Sequence, residues 1–230
     1  MGTSAARRAP TTRLWRQAKG AATRYLSPEG GGVVTAGEVA ARYLAALGEG
    51  DRGVLAAFRL TRKVAQDLGA LAAQATSQGW DGALELWGLG ELAGASPEVA
   101  AQAVGAALVG PGGGLEATVA RVSVAAVLMK SASVGHKSPP EPAQLAQRFL
   151  STALHFRLAL DLGEPLEAVA ATCSRLRNGL DELWGCIEAA GTALMPGSSP
   201  PAEDWRSLAG WTWVTEFMDA LIKRLSDASR

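Results

Sequence analysis

Residues 81–94 read DGALELWGLGELAG, and residues 178–191 read NGLDELWGCIEAAG. A shift of 97 residues lays one on the other with eight of fourteen positions identical, including ELWG at 85–88 and 182–185. Matches of Ala or Gly come cheaply in this composition. A Trp match does not, since only 7 of the 230 residues are Trp. On a helix, Leu180, Leu183, Trp184 and Ile187 fall at i, i+3, i+4 and i+7, and Ala83, Leu86, Trp87 and Gly90 take the same places in the first copy. Both stretches read as amphipathic helix, with Trp87 and Trp184 as large structural anchors in the core. Gly88 and Gly185 each cost about 1 kcal/mol relative to Ala inside a helix. The expected compensation is close approach by a neighbouring helix. The functional alternative is a ligand pocket roofed by Trp.

The likeness extends upstream. FRL recurs at 58–60 and 156–158, DLG at 67–69 and 161–163, and EVAARYLAA at 38–46 resembles QLAQRFLST at 144–152. The second copy is shorter around GEGD at 48–51 and between FRL and DLG. These matches predict an internal duplication.

Start and stop signals divide the chain into helices. A basic helix is expected over 11–26 and a break at SPEGGG, 27–32. Thr35 and Glu38 form a capping box opening a helix to about Leu47. A long helix follows over 53–77; Gly79 ends it, and Asp81 caps the next. Ser96-Pro97 opens a helix to Val109, and another covers 115–133. GHKSPPEP at 135–142 is the best linker. Helices are then expected over 143–162, from Glu164-Pro165 to Ala190, and over 205–227. No segment alternates like a strand. The expected fold is all-α, with two related helical bundles. The units are 35–134 and 143–230, joined by linker 135–142 and preceded by a basic arm and short helix, 1–34.

Hydrophobic residues make up 48% of the chain, which excludes global disorder. Formal charge balances at 22 basic and 22 acidic residues, but unevenly. Before Glu29 stand Arg7, Arg8, Arg13, Arg16, Lys19 and Arg24 and no acid, leaving 16 basic against 22 acidic residues in the rest. A basic arm on a mildly acidic body points to a contact made by the arm. Arg59, Arg62 and Lys63 cluster at i, i+3 and i+4 on the next long helix. With Arg13, Arg16, Lys19 and Arg24 they are candidate contacts to nucleic acid or another anionic surface. The alternative is a solvated face.

Chemical motifs are sparse. Cys173 and Cys186 suggest no disulfide framework, and a reducing compartment is the simplest reading. Neither His136 nor His155 has Cys, Asp or Glu at metal-ligand spacing. Asp181 and Glu182 point about 100° apart on a helix, so they do not converge for acid–base work. GPGGGLEA at 110–117 lacks the Gly-Lys-Ser/Thr ending of a phosphate loop. No catalytic residue, cofactor or metal is predicted. No signal peptide or bilayer-length apolar run stands out, so a cytoplasmic location is expected. The Ala/Gly/Arg-rich style suggests a GC-rich bacterial genome.

ATSQGWDGALELW at 75–87 and WTWVTEFMDALIKRL at 211–225 resemble stretches of the small, all-helical subunits of type III CRISPR effector complexes. That resemblance implies basic helical faces along a guide–target path and no active site. The chain departs from the pattern by being longer, doubled and neutral.

The function expected is therefore a non-enzymatic helical subunit or adaptor of a larger assembly, with other protein subunits as partners. The alternative is a nucleic-acid-backbone-binding small subunit of a nucleoprotein effector complex. Further alternatives are membrane-surface attachment through residues 11–26 and an active site assembled from scattered polar residues.

Overall fold

The computed structural model describes residues 12–27, 34–49, 53–133, 140–194 and 199–227. Among them are nine α-helices, two 3-10 turns and no strand. In chain order the helices are α1 (Arg13–Leu26), α2 (Ala36–Leu47), α3 (Gly53–Ala56), α4 (Arg59–Leu86), α5 (Pro97–Val109), α6 (Leu115–Ser133), α7 (Pro142–Glu167), α8 (Cys173–Thr192) and α9 (Leu208–Asp227). The 3-10 turns are Gly90–Leu92 and Ala202–Asp204. The all-α expectation holds.

Local chemistry sets most helix starts. Thr12, Thr35, Ser96 and Thr172 each accept a hydrogen bond from the backbone N–H three residues on. Two boundaries differ from expectation and one, at Gly79, agrees with it. The helix expected over 53–77 is interrupted at 57–58, and α4 opens under a cap lent by α6, where the Glu116 carboxylate accepts from the Thr61 amide at 2.9 Å. At Gly79 the backbone leaves helical geometry (φ 77°, ψ 168°), so α4 is two helical runs meeting at a kink there, as expected. Pro165 does not open a helix; α7 runs through it to Glu167. Leu162 and Leu166 on either side are fully buried, and their packing holds this last turn despite the lost backbone bond.

The helix α7 is the centre. It packs against α1, α4, α6, α8 and α9. Around it, α1 pairs with α2, α2 reaches α8 and α9, and α5 and α6 form a hairpin. One contiguous apolar core draws on α1, α2 and α4–α9. Helices on either side of residues 135–142 share this core, and most of that segment lies outside the described residues. The basic segment is an integral helix over 13–26, with Trp15, Ala18, Ala21, Ala22, Tyr25 and Leu26 buried. Residues 1–11 lie outside the described part.

The element order does not confirm the duplication. The single helix α7 carries the residues matched in sequence to α2 and to the first part of α4, which are separate helices. The two ELWG copies differ in conformation as well. The first closes α4: the Gly88 amide donates to Glu85 O at 2.9 Å and the Leu89 amide to Leu84 O at 2.8 Å, with Gly88 at φ 72°. That is a Schellman stop, which needs a left-handed residue and takes Gly. The second copy lies inside α8.

Trp205, between α8 and α9, is fully buried and packs edge-on to Trp213 at 5.3 Å. Its ring fits only because Gly69 lies beneath it on α4: a Cβ there would overlap the six-membered ring. Gly69→Ala is expected to destabilise the fold by about 1–3 kcal/mol through overpacking. Gly20 on α1 has nothing within 4 Å of a built Cβ, so Gly20→Ala is expected to stabilise by up to about 1 kcal/mol. Urea unfolding midpoints moving in opposite directions test both.

Candidate functional site

The two tryptophans of the repeat have separate surroundings. Trp87 is half-buried; its Nε1 donates to Gln74 Oε1 at 2.5 Å, and the Arg206 guanidinium lies over its ring at 4.4 Å. Trp184 is also half-buried. The centre of the core is filled instead by Trp15, Trp205 and Trp213. Neither Gly88 nor Gly185 is a helix contact, because a Cβ on either would meet nothing within 4 Å. The close approaches on α8 are at Gly179, where a Cβ would collide with Leu26 of α1, and at Gly191, against Ser151 of α7. Glu182 has a structural task here, since its carboxylate accepts from Tyr25 Oη at 2.7 Å and so ties α1 to α8. Burial, then this hydrogen bond, pushes the Tyr25 phenol well above its ordinary range.

Trp184 forms a wall of a cleft of about 240 Å³ between α6, α7 and α8. Each helix contributes one face: Ala126, Val127 and Lys130 from α6; Arg148, Thr152, His155 and Phe156 from α7; Asp181, Trp184 and Glu188 from α8. The spacings i, i+4, i+7 and i+8 on α7 put all four of its residues on one side. His155 is 9% exposed and meets Trp184 edge-on at 5.5 Å. Its Nδ1 is buried without a hydrogen-bond partner among the described residues. Burial holds its imidazole below the ordinary value, against the opposing pull of Asp181. Lys130 pairs with Glu188 at 3.2 Å and stands 5.5 Å above the Trp184 ring. Of the two readings of ELWG, the second copy thus supplies a pocket wall and the first a helix stop.

The basic residues separate into distinct settings. Arg13, Arg16 and Arg24 are exposed on α1 and, with Arg42 of α2, border a shallow surface depression whose floor includes Gly20. Lys19 turns the other way, into a cavity beside Glu49 and Asp161. Arg59 is exposed on α4. Arg62 is not a surface contact: it is 9% exposed, donates to Thr215 Oγ1 at 2.9 Å and to Leu55 O at 3.3 Å, and lies 4.7 Å over Trp211. Lys63 is paired with Asp67 at 2.6 Å. The expected combined basic surface is therefore not formed, because α1 packs on α2, α7 and α8, whereas Arg62 is folded inward on α4. The apolar side of α1 is inside the core, so it is not free to enter a lipid surface. Among the described residues no helix is long and apolar enough to cross a membrane. His136 lies outside the described residues.

The sequence raised a pocket beside a repeat Trp only as the alternative reading, and did not identify the helices that form it. The three faces of the cleft were visible as helical spacings, but nothing local says that these three helices meet there. The signal available was His155, a titratable residue set among the apolar residues Leu154, Phe156 and Leu158.

A family model described as Qat anti-phage system associated protein QatB matches residues 50–195. The match spans more than half of the chain, and the chain belongs to this family. It covers α3–α8 and every residue lining the cleft, and leaves out α1, α2 and α9. The match overturns the likeness to type III CRISPR small subunits, which rested on two short helical stretches of common composition. No curated protein and no solved structure matches the chain.

The His155 environment gives a pH dependence with a defined sign. Below the ordinary value of 6.5 the unfolded chain takes up a proton that the folded His155 resists. Stability should fall as pH drops below 6.5 and through the lower folded-state value. His155→Gln removes this dependence. Thermal midpoints measured between about pH 7 and pH 5 should therefore drop more for the parent than for the variant. Parallel curves would refute the assignment.

Proposed function

We propose that this chain is a non-enzymatic helical subunit or adaptor of a Qat anti-phage assembly. The observation that carries this reading is the end of the molecule where α4 closes and α9 begins. Leu86 and Leu208 are 60% and 77% exposed there, one and two residues in sequence from the Trp87–Arg206 contact. Large apolar side chains left in water around a Trp–Arg pair suit the centre of a protein interface. Membership of a family tied by description to an anti-phage system supports the same reading. The expected partners are other protein subunits of that system, met in the cytoplasm.

The test is co-expression with the proteins encoded beside it. A stable complex is expected from the parent. Leu86→Asp combined with Leu208→Asp should weaken it about 30-fold or more while leaving the thermal midpoint of the isolated chain unchanged. A chain that stays monomeric beside those proteins, or a double variant that binds as well as the parent, overturns the reading.

A second reading is favoured by the exposed face of α1. Arg13, Arg16 and Arg24, with Arg42 nearby, present cations on a helix fixed by its own buried side. Such a face suits a phosphate backbone. For single-stranded RNA, the slope of log affinity against log salt should fall by about 2 when Arg13, Arg16 and Arg24 become Glu. An unchanged slope would remove this role.

A further inference from the structure

We propose that the cleft between α6, α7 and α8 binds a small planar aromatic molecule that carries both N–H donors and an anionic group. This goes beyond a subunit role and does not depend on it.

The size of the space limits the occupant. About 240 Å³ lies just below the volume of ordinary drug-sized sites, roughly 300–1,000 Å³. One or two fused rings fit inside, and any charged group stays at the mouth. The interior suits a ring. Val127, Thr152 and His155 form a buried floor, and Trp184 and Phe156 add half-buried aromatic surface. Aromatic faces take a second ring in offset or edge-on contact. Lys130 does not block this, because at 5.5 Å from the Trp184 centroid it stands beyond ring-contact distance and its side chain is 59% exposed.

The polar groups define the rest of the ligand. The His155 Nδ1 is the one buried polar atom of the cleft left unpartnered among the described residues. A buried polar atom without a partner costs free energy; Nδ1 is closed to water as the ring stands, so a ligand in the cleft reaches it only when the imidazole turns. Burial favours the neutral imidazole, which offers one acceptor and one donor nitrogen. At the rim the charges sort into two kinds. Lys130 and Glu188 already satisfy each other. Arg148 and Asp181 are exposed, with no side-chain partner among the described residues. An anionic group suits the Arg148 fork, and an N–H donor suits Asp181. Two kinds of small molecule share this chemistry: nucleoside monophosphates and aromatic amino acids.

The chain offers a specific reporter, because it has only two histidines. The ring C–H signals of His155, assigned with His155→Gln, can be followed by NMR on the full chain. The probes are AMP, GMP, CMP and UMP in one arm and L-tryptophan and L-phenylalanine in the other. Saturable movement of the His155 signals is expected in one arm, which then identifies the source. Arg148→Ala should weaken that binding about tenfold or more. It should leave the matching probe without its acid group, a nucleoside or an aromatic amine, nearly unaffected. Trp184→Ala should abolish that movement. If Trp184→Ala fails to fold, Trp184→Phe replaces it, with weakened but measurable binding expected. No saturable movement at millimolar concentration in either arm overturns the proposal. So does movement that survives both the Arg148 and the Trp184 substitutions unchanged.

Discussion

The structure depends on the burial of α7. Thirteen of its side chains are buried, and five helices pack on it. A helix enclosed to that extent would ordinarily be apolar all round. This one is not: Ser151, Thr152, His155 and Arg157 are all buried. Each must find a partner or face a gap, since an unsatisfied polar group in a core is costly. Arg157 finds Asp161 at 2.8 Å one turn on, and Asp161 also accepts from the fully buried Tyr43 of α2 at 2.9 Å. Thr152 bonds back to Arg148 O at 2.8 Å. His155 faces the cleft. The same helix thus fastens α2 on one side and lines the cleft on the other.

Glycine sets how closely the surrounding helices approach. Gly69 admits the Trp205 ring, Gly179 admits Leu26, and Gly191 admits Ser151. Each removes a Cβ where two elements would otherwise collide, and each lies on a buried face. These contacts fix α9, α1 and α7 relative to α4 and α8. Exposed Gly88 and Gly185 have no such role. The distinction is one of helix face, since Gly179 and Gly191 lie on the buried side of α8 and Gly185 does not.

That distinction shows what could be read in advance. Caps at Thr35 and Ser96 act within three residues, so the starts of α2 and α5 were legible to the residue. The stripe Leu180, Leu183, Trp184 and Ile187 was legible too, and Leu183 and Ile187 are fully buried. What failed depended on partners distant in sequence. The interruption at 57–58 is followed by a cap from Glu116, and α7 continues through Pro165 because Leu162 and Leu166 are packed by other helices. Arg62 looked like a surface cation because Trp211 and Thr215 lie about 150 residues away in sequence. A repeated tetrapeptide likewise does not guarantee a repeated conformation. ELWG ends a helix when Leu89 can close a Schellman turn and continues one when α8 is packed beyond it.

The two exposed features and the cleft differ in how they relate to the family match. Every residue of the cleft falls within 50–195, whereas the α1 face and Leu208 fall outside it. The cleft is also built from helix faces locked by the core, while Leu86 and Leu208 flank helix ends. A site on rigid elements can hold a small ligand in fixed geometry. An interface at helix ends tolerates rearrangement on meeting a partner. The proposed small-molecule site therefore lies on the cleft side of α7, and the proposed macromolecular surfaces lie apart from it, on α1 and at the ends of α4 and α9. The link between them is α8, which walls the cleft with Trp184 and holds α1 through Glu182, two positions earlier on the same turn. One helix thus carries both the cleft wall and the hydrogen bond that holds the buried side of α1 in place.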